Sequence, residues 1–273
     1  MTPRRAIESR PVFVAGVGSL IPEQKRLTKF RLETVVPTAD TRGMDPSSQT
    51  LTAAVALALA DAKLTVSGAA RERTGIFAGA TNASPSSWEE FRSSVRDRGL
   101  VKASAPAFTR LVLNSAAGTA SRLLGLRGPT TTVTCGGGSG LLALVLAAIH
   151  LESRTDADRI VVASVDEVDL TRDTERSDAA VAMVLSTSPA PVRLAGWATA
   201  GAKSLDDAID HACRMAGVAS LSPSSLASDA QASASLLACV EGTRALRLAP
   251  GHTLITDVST AASCAVILER RTA

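Results

Sequence analysis

The segment from Gly128 to Leu144 (GPTTTVTCGGGSGLLAL) constrains the fold of this 273-residue chain more than any other segment does. Its threonines and valine are typical of a strand, its three consecutive glycines permit a tight turn, and the apolar residues after Ser139 are typical of a buried helix. A strand that turns directly into a helix presents one residue at a sharp elbow, at the positive end of the helix dipole. The segment therefore predicts a strand, an elbow suited to a nucleophile, and a helix over residues 131–153.

Strand and helix patterns alternate along the rest of the chain, which favours an α/β fold with a mostly parallel sheet. The predicted strands are residues 12–17, 75–79, 131–134, 159–165, 179–185, 192–197, 253–258 and 264–268. The predicted helices are residues 46–62 after an Asp45 cap, 87–98, 106–126, 139–153, 205–216 and 232–246. We expect strands 179–185 and 192–197 to pair with each other through a proline-containing turn.

The pattern of strands and helices restarts in shorter form near the end of the chain. We therefore divide the chain into residues 1–195 and residues 196–273, which we expect to form one compact unit. The second part repeats the element order of the first without a repeat at the level of single residues. A serine-rich linker over residues 220–230 interrupts it.

Composition excludes several classes of function. The net charge of +3 comes from 29 basic and 26 acidic residues without a cluster, and aromatic residues make up 3%, so we expect no nucleic-acid partner. The basic residues at 1–5 precede no apolar region, and the apolar run at 11–17 is too short for a signal peptide or a membrane span. We therefore expect a cytoplasmic protein with no membrane segment.

The four cysteines do not form a metal site by spacing, since none lies in a CxxC pair or at zinc-ligand spacing from a histidine. Cys213, Cys239 and Cys264 lie in apolar surroundings and are predicted to be small buried hydrophobic residues. Cys135 is the one cysteine placed at a turn. We expect neither a metal nor a cofactor.

Short motifs outside the elbow also carry information over about residues 10–200. They are Val12–Gly18, a strand ending in G-x-G; Asp61–Leu64 followed by Thr74–Gly79; Asn114–Gly118 followed by Leu124–Arg127 and Gly128-Pro129; and Val161–Glu167. In this order and spacing they resemble β-ketoacyl synthases, the condensing enzymes of fatty-acid and polyketide assembly. The resemblance implies a thiolase-like layered α-β-α-β-α fold, here with a shortened second half, and a dimer formed along the elbow strands.

The same resemblance places the catalytic nucleophile, a cysteine in those enzymes, at Gly137 of this chain. Decarboxylative condensation also needs two imidazoles, which the family supplies from an H-G-T-G-T loop and a G-H-x-x-G helix start. Neither motif occurs here, and the loop between Val165 and Ala179 is short where the family has a long gating segment. His150, His211 and His252 are predicted to have structural or surface roles. The chain is therefore predicted to be a pseudoenzyme.

We expect such a chain to pair with a full-length ketosynthase as a heterodimer and to shape or stabilise the acyl-chain pocket of that partner, as chain-length factors do in the resembling family. The second implied partner is an acyl carrier protein with a pantetheine-bound acyl chain. The predicted pocket and interface residues are Asn114, Thr134, Cys135, Gly136, Gly137, Gly138 and Ser139.

Two alternatives remain at this stage. If the triple glycine lets the turn slip, Cys135 becomes the nucleophile of a small acyltransferase or thioesterase-like enzyme. Otherwise the chain is a scaffold that pairs with itself and binds an acyl chain or a carrier protein. Ser139 lacks a G-x-S-x-G frame and is predicted to be structural, and the glycines lack the lysine of a phosphate-binding loop.

Overall fold

The computed structural model describes residues 10–23, 26–27, 30–82, 84–168, 176–201, 204–223, 232–259 and 262–271. Most of the predicted serine-rich linker, and part of the loop that follows Val165, lie outside these described residues. The helices are α1 Pro46–Asp61, α2 Pro85–Arg98, α3 Ala105–Arg110, α4 Ser115–Leu124, α5 Ser139–Ser153, α6 Leu205–Ala216 and α7 Ala234–Leu248. The strands are β1 Val12–Leu20, β2 Thr74–Ala80, β3 Thr130–Val133, β4 Arg159–Asp166, β5 Ala179–Ser186, β6 Val192–Gly201, β7 Gly251–Val258 and β8 Ala262–Arg270.

The positions of these elements confirm most of the sequence predictions. Every predicted strand is present, and α5 and α6 begin and end at the predicted residues. The predicted cap of α1 is also present, because the Asp45 carboxylate accepts a hydrogen bond of 2.7 Å from the Ser48 backbone N–H. Strong local signals, such as a capping residue followed by apolar residues at helical spacing, were sufficient to predict these elements.

The topology of the sheet corrects two predictions. The strand order is β3-β2-β4-β5-β1-β6-β8-β7, and only the β2–β3 and β2–β4 neighbours are parallel, so the sheet is not mostly parallel. In the sheet, β5 and β6 do not pair with each other, since β1 lies between them, with Val14 opposite Leu185 and Val12 opposite Leu194. The physical reason is connectivity: among the described residues no crossover helix lies between β4 and β5 or between β7 and β8, and each of these neighbours reverses direction.

The single helix predicted over residues 106–126 is two helices, α3 and α4, separated by a turn at residues 111–114. Phe108 of α3 packs against Phe91 of α2, with ring centroids 5.6 Å apart, whereas Ala117 and Ala120 of α4 are buried in the cluster against α1. The two segments thus pack against different helices, and tertiary packing overrides the continuous helical pattern.

Five layers follow from how the helices pack on the sheet. β1 and β6 pair only over Val12–Val14, so the strands divide into β3-β2-β4-β5-β1 and β6-β8-β7. α5 and α7 pack against strands of both groups and form the largest buried cluster, α1 and α4 cover the outer face of the first group, and α6 covers the second. The arrangement is the predicted α-β-α-β-α layering, with β2 and β3 of the first group having no full counterpart in the second.

The two halves also repeat at single residues, which the sequence did not show. β1 has a bulge between Val14 and Gly16, and β6 has one between Leu194 and Gly196. A Cβ on Gly16 would lie 2.3 Å from the Ala58 carbonyl oxygen of α1. A Cβ on Gly196 would lie 2.1 Å from the Ala212 carbonyl oxygen of α6. In both halves a helix lies directly on the bulged strand, so only glycine fits at each contact.

The central helix, α5, is strongly apolar. By length and apolar composition alone, Gly136–Ser153 would suffice to cross a membrane, and 56% of this segment is buried inside the protein. The core helix of a globular protein has the same two properties. α5 is such a helix here, since it lies between the two groups of strands.

Candidate functional site

The elbow between β3 and α5 is folded around Ser139, the first residue of the helix. The buried Ser139 hydroxyl donates to the Gly136 carbonyl oxygen at 2.6 Å and accepts from the Cys135 backbone N–H at 2.9 Å. Gly136 has a φ of +82°, in the left-handed region that favours glycine. Ser139 therefore braces the turn, as predicted for a structural residue.

Close backbone contacts hold the elbow from two sides. A Cβ on Gly79 of β2 would lie 2.5 Å from the Gly140 nitrogen and 2.5 Å from the Ser139 carbonyl carbon. On the other side, a Cβ on Gly140 would lie 2.3 Å from the Ala232 carbonyl oxygen. The first turn of α5 is thus fixed between β2 and the segment that leads into α7, and small residues are required at both contacts.

The predicted site residues differ in exposure. Thr134 and Gly137 are exposed, Gly136 is half-buried, and Cys135 and Gly138 are buried. The structure therefore presents the predicted nucleophile position, Gly137, at the surface of the elbow. The seventh predicted residue, Asn114, is exposed just before α4, on a different element from the elbow. The pocket and interface roles of these residues stay predictions.

The thiols near the elbow are buried. Cys135 is 8% exposed and Cys264 of β8 is 2% exposed. Burial raises the pKa of the Cys264 thiol to about 11, with smaller contributions from the nearby Cys135 and Asp257. Burial also raises the pKa of the Cys239 thiol in α7 well above its usual range. The prediction that Cys213, Cys239 and Cys264 are small buried residues is confirmed.

Sequence reasoning missed one residue of the elbow, Asp257 in β7. Its carboxylate oxygen Oδ1 lies 3.4 Å from the position of a Cβ on Gly138, and Asp257 is directly opposite Cys264 in the β7–β8 pairing. Burial raises the pKa of this carboxyl group above its ordinary value. The available signal was an acidic residue near the end of a predicted strand. The second half of the chain thus contributes a carboxyl group to the elbow.

We expect Asp257→Asn to stabilise the chain relative to the unsubstituted protein, increasingly as the pH rises. The raised pKa means that the folded state binds a proton where the unfolded state does not, so stability is lost as the pH rises from about 4 through the raised folded pKa. Urea unfolding of both proteins at several pH values measures the difference between their free energies of unfolding. The carboxyl groups that both proteins share contribute equally to each value and do not affect the difference. A pH-independent difference would contradict the expectation.

The three histidines lie on elements that lead away from the elbow. His150 hydrogen-bonds Asp156 at 2.8 Å and packs edge-on against Phe77, at a point roughly 16 Å along α5 from its start. His211 is exposed on α6. His252, predicted in a turn, belongs to β7 instead because that strand begins at Gly251, and its Nε2 is 3.4 Å from Glu269. Among the described residues, no group of three His, Cys, Asp or Glu side chains is arranged to hold a metal ion.

The strand that enters the elbow has an open edge. β3 is the terminal strand of the sheet, and among the described residues it pairs only with β2. Large apolar side chains are exposed on the segment before α4, including Val112 (51%) and Leu113 (40%). An unpaired strand edge and exposed apolar side chains are each typical of a surface that binds another chain.

Comparisons with known proteins agree with this geometry. The sequence model of the β-ketoacyl synthase N-terminal domain matches residues 33–193. The fold is similar to that of the ishigamide ketosynthase/chain length factor, with a TM-score of 0.79 and 18% identity over 96% of this chain and 100% of that chain. It is also similar to a β-ketoacyl synthase from Burkholderia phymatum STM815, with a TM-score of 0.77 and 12% identity over 96% of this chain and 100% of that chain.

A third similar structure is a ketosynthase in complex with its chain length factor from Xenorhabdus doucetiae, with a TM-score of 0.70 and 12% identity over 96% of this chain and 98% of that chain. No curated protein matches the chain. At these identities the structural matches establish the fold alone, which is the thiolase-like fold expected from the sequence motifs.

Proposed function

The chain belongs to the β-ketoacyl synthase family, and from this premise we propose that it is a catalytically inactive subunit that pairs with an active ketosynthase in polyketide or fatty-acid biosynthesis. In that complex it shapes or stabilises the acyl-chain pocket of its partner. The partner supplies the thiol that carries the growing chain, and this chain supplies a folded elbow without a nucleophile.

The observation that carries the proposal is the intact elbow around Gly137. The bonds made by Ser139, the close contact at Gly79 and the position of the turn at the start of α5 are all present. The residue at the nucleophile position has no side chain, so an acyl chain has no atom there to which it can be attached. An elbow that is retained without its reactive group is consistent with a role in pairing and pocket shape.

The open edge of β3 supports pairing. A strand of a ketosynthase that adds to this edge would satisfy the free backbone groups of β3 and extend the sheet across the interface. The exposed Val112 and Leu113 would lose their contact with water in the same step. Two of the similar structures are described as a ketosynthase together with a chain length factor, which supports the same kind of partner for this chain.

The second proposed partner is an acyl carrier protein. One similar structure, with a TM-score of 0.78 and 15% identity, is described as a type II polyketide synthase acyl-carrier protein in complex with its ketosynthase bound to the hexaketide. We propose that a carrier protein delivers the pantetheine-bound acyl chain to the complex. The partner ketosynthase would hold the acyl group, and the glycine elbow of this chain would leave space beside it.

We expect co-expression with a full-length ketosynthase from the same gene neighbourhood to give a stable one-to-one heterodimer. Native mass spectrometry of the purified complex measures this. The double variant Val112→Asp with Leu113→Asp should weaken pairing by roughly 100-fold, because two apolar contacts are replaced by charges at an interface. Both residues are exposed, so the isolated variant should keep its fold.

The matched control is the double variant Ile21→Asp with Leu248→Asp, since both residues are exposed apolar side chains outside the segment before α4. It should pair normally. A monomer or homodimer that persists in the presence of the ketosynthase would refute the proposal. Stoichiometric alkylation of Cys135, with loss of an acyl-transfer activity in Cys135→Ala, would then favour the alternative of a cysteine-dependent enzyme.

A further inference from the structure

The two central helices, α5 and α7, begin next to each other, and neither is capped by its own N-cap side chain. Gly138 precedes α5 and Ser233 precedes α7, and neither side chain bonds to its helix, whereas α1, α2 and α3 are capped by their own N-cap residues. A Cβ on Gly140 would lie 2.3 Å from the Ala232 carbonyl oxygen, so the two starts are in contact. The free N–H groups of a helix start carry a partial positive charge that attracts an anion.

The start of α7 receives a carboxylate from the first half of the chain. Asp166, the last residue of β4, accepts hydrogen bonds from the backbone N–H groups of Ala232 at 3.1 Å and Ser233 at 2.8 Å. Its side chain is buried, and Ser164 of the same strand bonds the Ser233 hydroxyl at 3.0 Å. The positive end of α7 is therefore already occupied by an anion that belongs to the protein itself.

The start of α5 has a carboxyl group from the second half of the chain beside it. Oδ1 of Asp257 in β7 lies 3.4 Å from the position of a Cβ on Gly138. In the part of the chain that the structure describes, no cation acts on Asp257 to offset its charge. Each central helix thus begins beside a carboxyl group that the opposite half supplies, Asp166 for α7 and Asp257 for α5.

The charge of Asp257 already acts on the thiols around the elbow. Cys264 lies directly opposite Asp257 in the β7–β8 pairing, and Cys239 lies in α7. Burial is the main reason that the pKa of each thiol is raised, and the negative charge of Asp257 raises both pKa values further. A thiolate is therefore disfavoured wherever the Asp257 carboxylate is close, because two like charges repel each other.

We propose that Asp257 serves as the internal anion of the elbow: its carboxylate offsets the positive end of α5, so that the elbow disfavours a thiolate, an oxyanion or a ligand carboxylate. The predicted loss of catalysis then has two independent causes, the missing side chain at Gly137 and the charge of Asp257. A further consequence, which rests on the proposed function, concerns the acyl chain of the partner. The part of that chain that lies beside the elbow is uncharged.

A thiol introduced at the elbow of the full-length chain tests the proposal without a partner. Gly137 is exposed, so Gly137→Cys should fold, and adding Cys135→Ala leaves the introduced thiol as the only one in the elbow. The rate of alkylation by iodoacetamide is measured from about pH 7 to 10, where we expect Asp257 to be ionised. Adding Asp257→Asn removes the charge with little change in shape, and the midpoint of the rate against pH should fall by about one pH unit.

The matched control carries the thiol at Gly118 of α4, which is exposed and where a Cβ would meet nothing within 4 Å. Asp257→Asn should leave the midpoint of Gly118→Cys unchanged. In about 1 M NaCl the difference at the elbow should shrink by roughly half or more, because salt screens the charge.

Three results would overturn the proposal: equal midpoints with and without Asp257, a difference that salt does not reduce, or the same difference in Gly118→Cys. All three are obtained on the chain alone. Failure of this proposal is therefore distinguishable from failure of pairing with a ketosynthase, which the mass of the complex tests.

Discussion

Replacing Gly79 with valine is expected to lower the free energy of unfolding by about 4 kcal/mol or more, because it forces backbone atoms apart in the core. A Cβ at this position would lie 2.5 Å from the backbone of Ser139 and Gly140, and neither atom belongs to a side chain that can rotate away. Relief would require α5 to lift from β2, and α5 is the centre of the largest buried cluster.

Urea unfolding followed by circular dichroism measures this loss, and expression only as insoluble protein would be an equivalent result. The control is Gly118→Ala in α4, where a Cβ would meet nothing within 4 Å. Alanine has the higher helix propensity, so this variant should gain up to about 1 kcal/mol. A Gly79→Val protein as stable as the unsubstituted chain would show that the elbow is not packed against β2 as described.

The second large effect concerns product formation. We expect the Gly137→Trp variant to pair with its ketosynthase and yet to reduce chain elongation by on the order of 100-fold, because an indole at the elbow displaces the acyl chain from its productive position. Gly137 is exposed, so the isolated variant should remain folded. Product yield of the reconstituted complex, measured by mass spectrometry, tests this expectation.

The matched control is Gly201→Trp at the end of β6, where a Cβ would meet nothing within 4 Å. It introduces the same side chain away from the elbow and should leave product yield unchanged. Unchanged product from Gly137→Trp would show that the elbow does not line the acyl pocket. The pairing of the two chains would still be tested separately, by the mass of the purified complex. The two parts of the proposed function can therefore fail separately.

Local patterns were sufficient to predict most of the helices and strands, but not which of them are neighbours in the fold. The β-branched run before the glycines and the apolar run after them fixed β3 and α5, and the Asp45 cap fixed the start of α1. The position of β1 between β5 and β6, and the break between α3 and α4, depend on contacts between residues far apart in sequence. No local pattern contains that information. A few consecutive residues are enough to predict a helix or a strand, whereas the elements that it packs against depend on the whole chain.

The candidate site divides in the same way. The motifs identified the elbow, and their resemblance to β-ketoacyl synthases places the nucleophile position at Gly137, which stays a prediction. The division at residue 195, the absence of catalysis and the cytoplasmic location stay predictions. The contribution of Asp257 from β7 was missed, because Asp257 is more than a hundred residues from the elbow in the sequence and meets it only through the β7–β8 pairing.

The sequence by itself determined which segments become strands and where most of the helices lie, because propensity and capping act over short distances. Only the tertiary structure decided the strand order and the repeat of the two halves at single residues. These depend on which apolar faces can be buried together. Gly16 lies against α1, and Gly196 lies against α6 in the same way. This repeat is evident only from the packing of both helices on their strands.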